Sequence, residues 1–266
     1  MKNIIFFTHA EKKPSGGAKY IYDFSQIINK TKDFSSEVIH IKKKRTSKLI
    51  DSINKRLNVK KNIYSGWLAE DITLARNFKY RWFNNEIKIK EDFTFNKKKD
   101  FIILPEIFAH LADDLLIKHN ISYSIFVQNG YCLDSTNNET LLIKAYKNAK
   151  FILSSSEDTS ECIKLRFSRL KLKIIKVFYS IEVGLVNYKN KKNIITYTNR
   201  KLSHHSNLVI SFLKPQLPKN WYLKNLNNLS YKNYLKELKK SKIFLSFSNL
   251  EGLGLPPAEA ALAGNY

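Results

Sequence analysis

Residues Ser246–Gly264 read SFSNLEGLGLPPAEAALAG, and the fold follows from how they are parsed. Apolar Ile243–Leu245 just before them reads as a buried strand. Glu251 begins a loop holding Gly252 and Gly254, and Pro256–Pro257 open a short Ala/Leu-rich helix that carries Glu259. A helix N-terminus presents unpaired N–H groups and partial positive charge, which suits a phosphate. Glycines let the backbone come close to that phosphate, and proline in the first turn gives up only an N–H that is unpaired anyway. Glu251 and Glu259 flank this anion site with seven residues between them. Like charges repel, so the two acids do not hold the phosphate. Beside a phosphate cradle they are better explained as acceptors for hydroxyls, such as those of ribose and a sugar. The plainer reading is a Gly/Pro turn that starts a surface helix bearing two solvated glutamates.

Outward from this stretch the chain alternates strands and helices. On its N-terminal side lie strand Ile194–Thr198, the turn Asn199–Arg200–Lys201, helix Ser203–Leu213, and a strand at Trp221–Leu223. An amphipathic helix over Tyr231–Lys240 follows, with Tyr231, Tyr234, Leu235 and Leu238 at helical spacing. The first part of the chain opens with strand Asn3–Thr8, a loop ending in Gly16–Gly17, and a helix marked by Ala18, Ile21, Phe24 and Ile28. Strand Ser36–Ile41 and a basic helix over Ser47–Leu57 come next. Trp67, Leu68, Ile72, Leu74 and Ala75 suggest a further helix, and Glu86–Lys90 alternates as an exposed strand does. Strand Phe101–Leu104 leads through Pro105–Glu106 into helix Ile107–Lys118. Strands at Ser122–Val127, Phe151–Ser154 and Leu172–Val177 then alternate with helices Glu139–Ala149 and Asp158–Phe167. Such alternation means an α/β fold with doubly wound parallel sheets. Ser180–Lys192 reads as a hinge, giving a Rossmann-like domain over 1–186 and a second, incomplete one over 187–266.

The nonapeptide Glu251–Glu259, EGLGLPPAE, resembles the Glu-x7-Glu signature of retaining family 4 glycosyltransferases with the GT-B fold. The resemblance implies that Glu251 faces the donor sugar and that Glu259 holds the nucleotide ribose. Gly252, Leu253, Gly254 and Leu255 then offer backbone N–H groups to the diphosphate. It also implies that Arg200 and Lys201, at the carboxyl end of a strand, neutralise that diphosphate. The family often spaces this pair more widely. The resemblance implies that the Gly-Gly loop at Gly17 reaches across the cleft toward the donor phosphates or the acceptor; alone it also fits a plain helix-capping turn. By topology His110, Gln128 and Asn129 are the acceptor-side candidates, although a lone histidine is more often structural. A complete GT-B C-terminal domain continues for several more βα units, so the chain reads as lacking that end. An exposed sheet edge, and with it a homodimer, is expected from this.

Composition bounds the rest. The 266 residues are 43% hydrophobic and 13% aromatic, with no apolar run long enough for a membrane-spanning helix. Cys132 and Cys162 are too few for a disulfide framework or a zinc cluster, which points to a reducing, cytoplasmic setting. The net charge of +23 favours anionic partners, though Lys is scattered, as in an AT-rich coding sequence, and its runs read as solvated loops. No Asp-x-Asp motif is present, and Arg200, Lys201 and the helix dipole can carry the leaving-group charge, so no metal or cofactor is expected. The expected partners are a nucleotide-sugar donor and a glycan or lipid-linked acceptor, with peripheral contact to an anionic membrane. Nucleic acid is not expected, since that needs clustered Arg with interleaved aromatics. The alternative function is a non-catalytic sugar-nucleotide-binding or assembly module.

Overall fold

A computed structural model of the chain describes residues 2–11, 15–43, 72–83, 85–184, 191–248 and 250–266. Contacts divide it into two compact units, Met1–Phe178 and Tyr179–Tyr266. The division precedes Ile181 and Val183 because both pack into the second unit's core with Leu226, Tyr234 and Leu238.

The first unit is built on an eight-stranded sheet. Its strands are β1 (Lys2–His9), β2 (Phe34–Lys43), β3 (Ile72–Leu74), β4 (Lys88–Ile89), β5 (Asp100–Pro105), β6 (Tyr123–Val127), β7 (Ile152–Ser154) and β8 (Ile174–Lys176). The order is β3-β2-β1-β5-β6-β7-β8, with β4 also on β2. Central β1 pairs in parallel with β2 and β5, and successive Ile5, Phe6 and Phe7 are all buried, so both faces are covered and it reads as the continuous apolar run of a buried parallel strand. The sheet is not purely parallel: β3 runs antiparallel to β2, with Ile41 opposite Leu74. Ile72–Leu74 was expected within a helix; the alternation of Ile72 and Leu74 about Thr73 has the period of a strand, and pairing with β2 realises it. The expected helix at Ser47–Leu57 and the first part of the Trp67–Ala75 helix lie outside the described residues.

Alternation along the strands divides the two faces. Ile5, Phe7, Ile39, Ile102, Leu104, Ile125 and Val127 point to one side. There they meet the irregular helical stretches Glu106–Leu111 and Asp113–Ile117, and helices α2 (Glu139–Asn148) and α3 (Glu157–Arg166). On the other side Phe126 receives Tyr20 and Phe24 of helix α1 (Gly16–Ile28), with ring centroids 6.0 and 5.8 Å apart. Local chemistry sets the helix starts. Ser15, Asn138 and Ser156 accept from Ala18 N, Leu141 N and Thr159 N, capping α1, α2 and α3.

The second unit holds a parallel three-stranded sheet of β9 (Lys192–Tyr197), β10 (Tyr222–Asn225) and β11 (Ser241–Leu245), in the order β10-β9-β11. Helices α4 (Ser203–Leu213), α5 (Tyr231–Lys240) and α6 (Leu255–Leu262) complete it. Tyr266 lies along the other edge of β11, donating to Lys242 O at 2.9 Å and accepting from Phe244 N at 2.8 Å. Strand, helix and strand alternate here as the sequence implies, and the glycine loop leaves the carboxyl end of β11.

Candidate functional site

In the second unit the glycine loop does what its composition requires. Gly254 has φ 68° and ψ 62° and directly precedes α6. That left-handed conformation suits only glycine at low cost, and a Cβ there would stand 3.2 Å from Pro257 Cγ. Leu250 on the other side of Glu251 also has positive φ, at 52°. Glu251 therefore sits in a sharply turned loop. Its Oε1 is paired with Lys201 Nζ, which follows β9. Arg200 beside it is exposed.

Glu259 is 3% exposed, and its Oε1 accepts from the Tyr231 hydroxyl at 2.7 Å. Burial, and secondarily the Glu259 carboxylate, pushes the Tyr234 phenol far above its ordinary range. Both tyrosines come from α5, where spacing alone marked them as a helix's apolar face. Behind them Lys191 Nζ donates to Leu238 O at 3.2 Å, Ser241 O at 2.7 Å and Ala263 O at 2.5 Å. These carbonyls end α5 and α6, where a cation meets unpaired acceptors and the negative end of each helix. Burial lowers the Lys191 pKa. This lysine locks the two helices that carry Tyr231 and Glu259, and nothing in its sequence neighbourhood announced it. At the carboxyl ends of β9 and β10, Asn199 Oδ1 accepts from the side-chain amides of Asn225 (3.3 Å) and Asn227, and Asn199 Nδ2 donates to Asn207 Oδ1 at 3.1 Å.

In the first unit, Gly17, Gln128 and Asn129 come together. Gln128 Nε2 donates to Gly17 O at 3.2 Å, and a Cβ on Gly17 would lie 2.2 Å from Gln128 Oε1. Glu106 organises this group. It is 3% exposed, at the carboxyl end of β5, and accepts from Gln128 N at 3.0 Å and Asn129 N at 3.1 Å. Burial pushes its carboxyl up to about 7, against the pull of the N–H groups it accepts from. Sequence reading treated Glu106 only as a helix start; its place directly after a central strand was the available signal. Asn129 Oδ1 accepts from Tyr131 N at 3.0 Å and so shapes its own turn. His110 is buried, with Nδ1 3.1 Å from Ser135 Oγ. A second buried set joins His40 Nε2 to Tyr22 OH at 2.8 Å, and Tyr80 OH to His9 O at 3.0 Å. Burial, then His9, lowers the His40 pKa to about 4. Among the described residues no three His, Cys, Asp or Glu side chains come together as a metal site.

No protein-family model and no curated protein sequence matches this chain. Solved structures do. TarM aligns with a TM-score of 0.58 at 10% identity, over 100% of this chain and 84% of its own. A variant of S. aureus TarM, in complex with Fondaparinux, α-GlcNAc-glycerol and UDP, aligns at 0.57 and 10% identity, over 100% and 85%. The N-terminal domain of Candida albicans trehalose-6-phosphate phosphatase aligns at 0.54 and 10% identity, over 98% and 80%. At such identities the likeness is one of fold. That fold is GT-B, with Rossmann-like α/β units.

Proposed function

We propose that the chain transfers a sugar from a nucleotide-sugar donor to a glycan or lipid-linked acceptor, with retention at the anomeric carbon and without a metal. The setting we assign is surface polysaccharide synthesis at the cytoplasmic face of a membrane. Glu251 meets the donor sugar and Glu259 the ribose. Arg200, Lys201 and the Gly252–Leu255 backbone meet the diphosphate, while Gln128, Asn129 and His110 serve the acceptor side. The acceptor hydroxyl attacks the anomeric carbon from the face the diphosphate leaves. The bond from that carbon to the diphosphate oxygen breaks, and the departing oxygen takes the hydroxyl proton. Fixed cations and N–H groups aimed at this oxygen stabilise the charge as it develops.

The observation that carries the reading is the left-handed Gly254 opening α6 between two glutamates, one paired with a lysine after β9 and one buried against α5. A turn that merely starts a surface helix has no use for a buried acid. The UDP named in the TarM complex makes uridine nucleotides the first to test. Thermal shift and calorimetry with UDP, GDP, dTDP and ADP identify the base. Glu259→Ala then weakens bare-nucleotide binding by one charge-assisted contact, about 1.5–3 kcal/mol. Glu251→Ala leaves that binding in place and abolishes transfer. Equal losses of bare-nucleotide affinity in both variants would refute the assignment.

A further inference from the structure

The described residues of the first unit gather exposed lysines at one edge of its sheet. Strands β1, β2, β5, β6, β7 and β8 all run in one direction, so the segments leading into them lie at one edge. That edge carries exposed Lys2 on β1, Lys32 before β2, Lys98 before β5, Lys150 before β7 and Lys173 before β8, with exposed Asp33 beside Lys32. Among the described residues none of these five is paired with a carboxylate. The opposite edge is different. There β1 is followed by Glu11, and β7 by Glu157 with Asp158. Lys176 at that edge is paired with Glu157 at 3.0 Å, and the end of β2 also places Lys42 and Lys43 there. Lysines scattered along the sequence are therefore brought together at the strand-start edge once the strands align.

Large apolar side chains share the basic edge. Phe34 opens β2 and is 42% exposed, Ile27 near the end of α1 is 57% exposed, and Leu165 near the end of α3 is 77% exposed. Both helices run back to this edge, because each delivers the chain to the start of the next strand. Lysines around protruding apolar groups match an anionic bilayer interface, where the cations meet headgroups and the apolar groups enter the acyl boundary. Nucleic acid fits less well: Arg169 excepted, the unpaired cations of this edge are lysines, which lack the guanidinium fork for phosphate.

We propose that this strand-start edge of residues 1–178 is a docking surface for anionic lipid bilayers. The inference rests on the membrane part of the proposed function and not on its donor chemistry.

The full chain is to be sedimented with phosphatidylcholine vesicles, with and without phosphatidylserine, at low and high salt. Binding is expected only with phosphatidylserine and falls steeply with salt. The variant Lys32→Glu, Lys98→Glu, Lys150→Glu, Lys173→Glu loses more than about tenfold in vesicle affinity. A control, Lys214→Glu, Lys219→Glu, Lys232→Glu, Lys236→Glu, makes the same charge change on exposed positions of the second unit and keeps affinity within about threefold. Circular dichroism shows that both are folded. Phe34→Ser with Leu165→Ser lowers the binding that survives high salt. Equal losses in the two lysine variants, no selectivity for phosphatidylserine, or no effect of the apolar pair would overturn the proposal. So would an edge variant that loses duplex-oligonucleotide binding while keeping its vesicle binding. Transfer to a soluble acceptor, measured on the same preparation, separates the two readings. Vesicle selectivity without transfer sinks the transferase, and transfer without vesicle selectivity sinks the docking surface.

Discussion

The Tyr231 hydroxyl donates to Glu259 Oε1 at 2.7 Å, across the packing of α5 against α6. A carboxylate only 3% exposed has to be compensated from within the protein, and this phenol does part of that. Tyr231→Phe should therefore destabilise the second unit by about 1–3 kcal/mol. In a double-mutant cycle with Glu259→Gln, read by urea denaturation, the pair should show a coupling of about 1–2 kcal/mol. Simple additivity would mean that the contact carries no energy.

The pairing of Lys201 with Glu251 makes a less intuitive prediction. Both side chains are partly exposed, so the pair itself is weak. Glu251→Gln releases Lys201 for phosphate, and bare UDP should bind as tightly as before or up to about fivefold tighter, while sugar transfer collapses. Calorimetry on the variant decides it. A tenfold loss of UDP affinity would place Glu251 on the nucleotide instead.

Gly17, in the first turn of α1, is constrained from outside its own helix. A methyl group there would stand 2.2 Å from Gln128 Oε1, so Gly17→Ala forces Gln128 off the Gly17 carbonyl. The expected cost is about 0.5–1.5 kcal/mol, that of the lost hydrogen bond. Gln128→Ala in the same chain should restore part of it by vacating the space. If the second substitution made matters worse, the close approach would not be the cause.

Two buried groups set opposing pH dependences. His40 is shifted down from 6.5 to about 4, so below pH 6.5 the unfolded chain takes a proton that the folded one refuses. Stability on the order of 3 kcal/mol is therefore lost as pH falls from 6.5 through 4. Glu106 is shifted up from 4.5 to about 7, so its contribution is full below pH 4.5 and disappears as pH rises through 7. The two offset each other between pH 4.5 and 6.5. Glu106→Gln removes one of them, and urea unfolding across that range should rise with pH more steeply in the variant than in the parent. Identical slopes would show that Glu106 does not titrate there.

The motif at Glu251–Glu259 was legible because its parts are local. A glycine's access to positive φ, proline's tolerance in a first helical turn, and an N-terminus with free N–H groups depend on a few neighbouring residues. The alternation of apolar strands with helices of about ten residues was legible for the same reason, since periodicity is written in consecutive positions. Where a segment's fate depended on a partner, local reading went astray. Ile72–Leu74 became a strand because β2 offered it an antiparallel edge.

The amino-acid sequence by itself determined the α/β class, nearly every strand and helix, and the glycine loop between two acids, because propensity, capping and hydrophobic period act over a few residues. Only the tertiary structure decided which distant groups meet. It set Glu106 on the amides of Gln128 and Asn129, closed Tyr231 onto Glu259, drew three helix-end and strand carbonyls to Lys191, and brought lysines from separate segments together at one sheet edge. Those pairings span tens of residues of chain. They hold because a buried polar group must find its partner wherever the sheet register and helix packing place one.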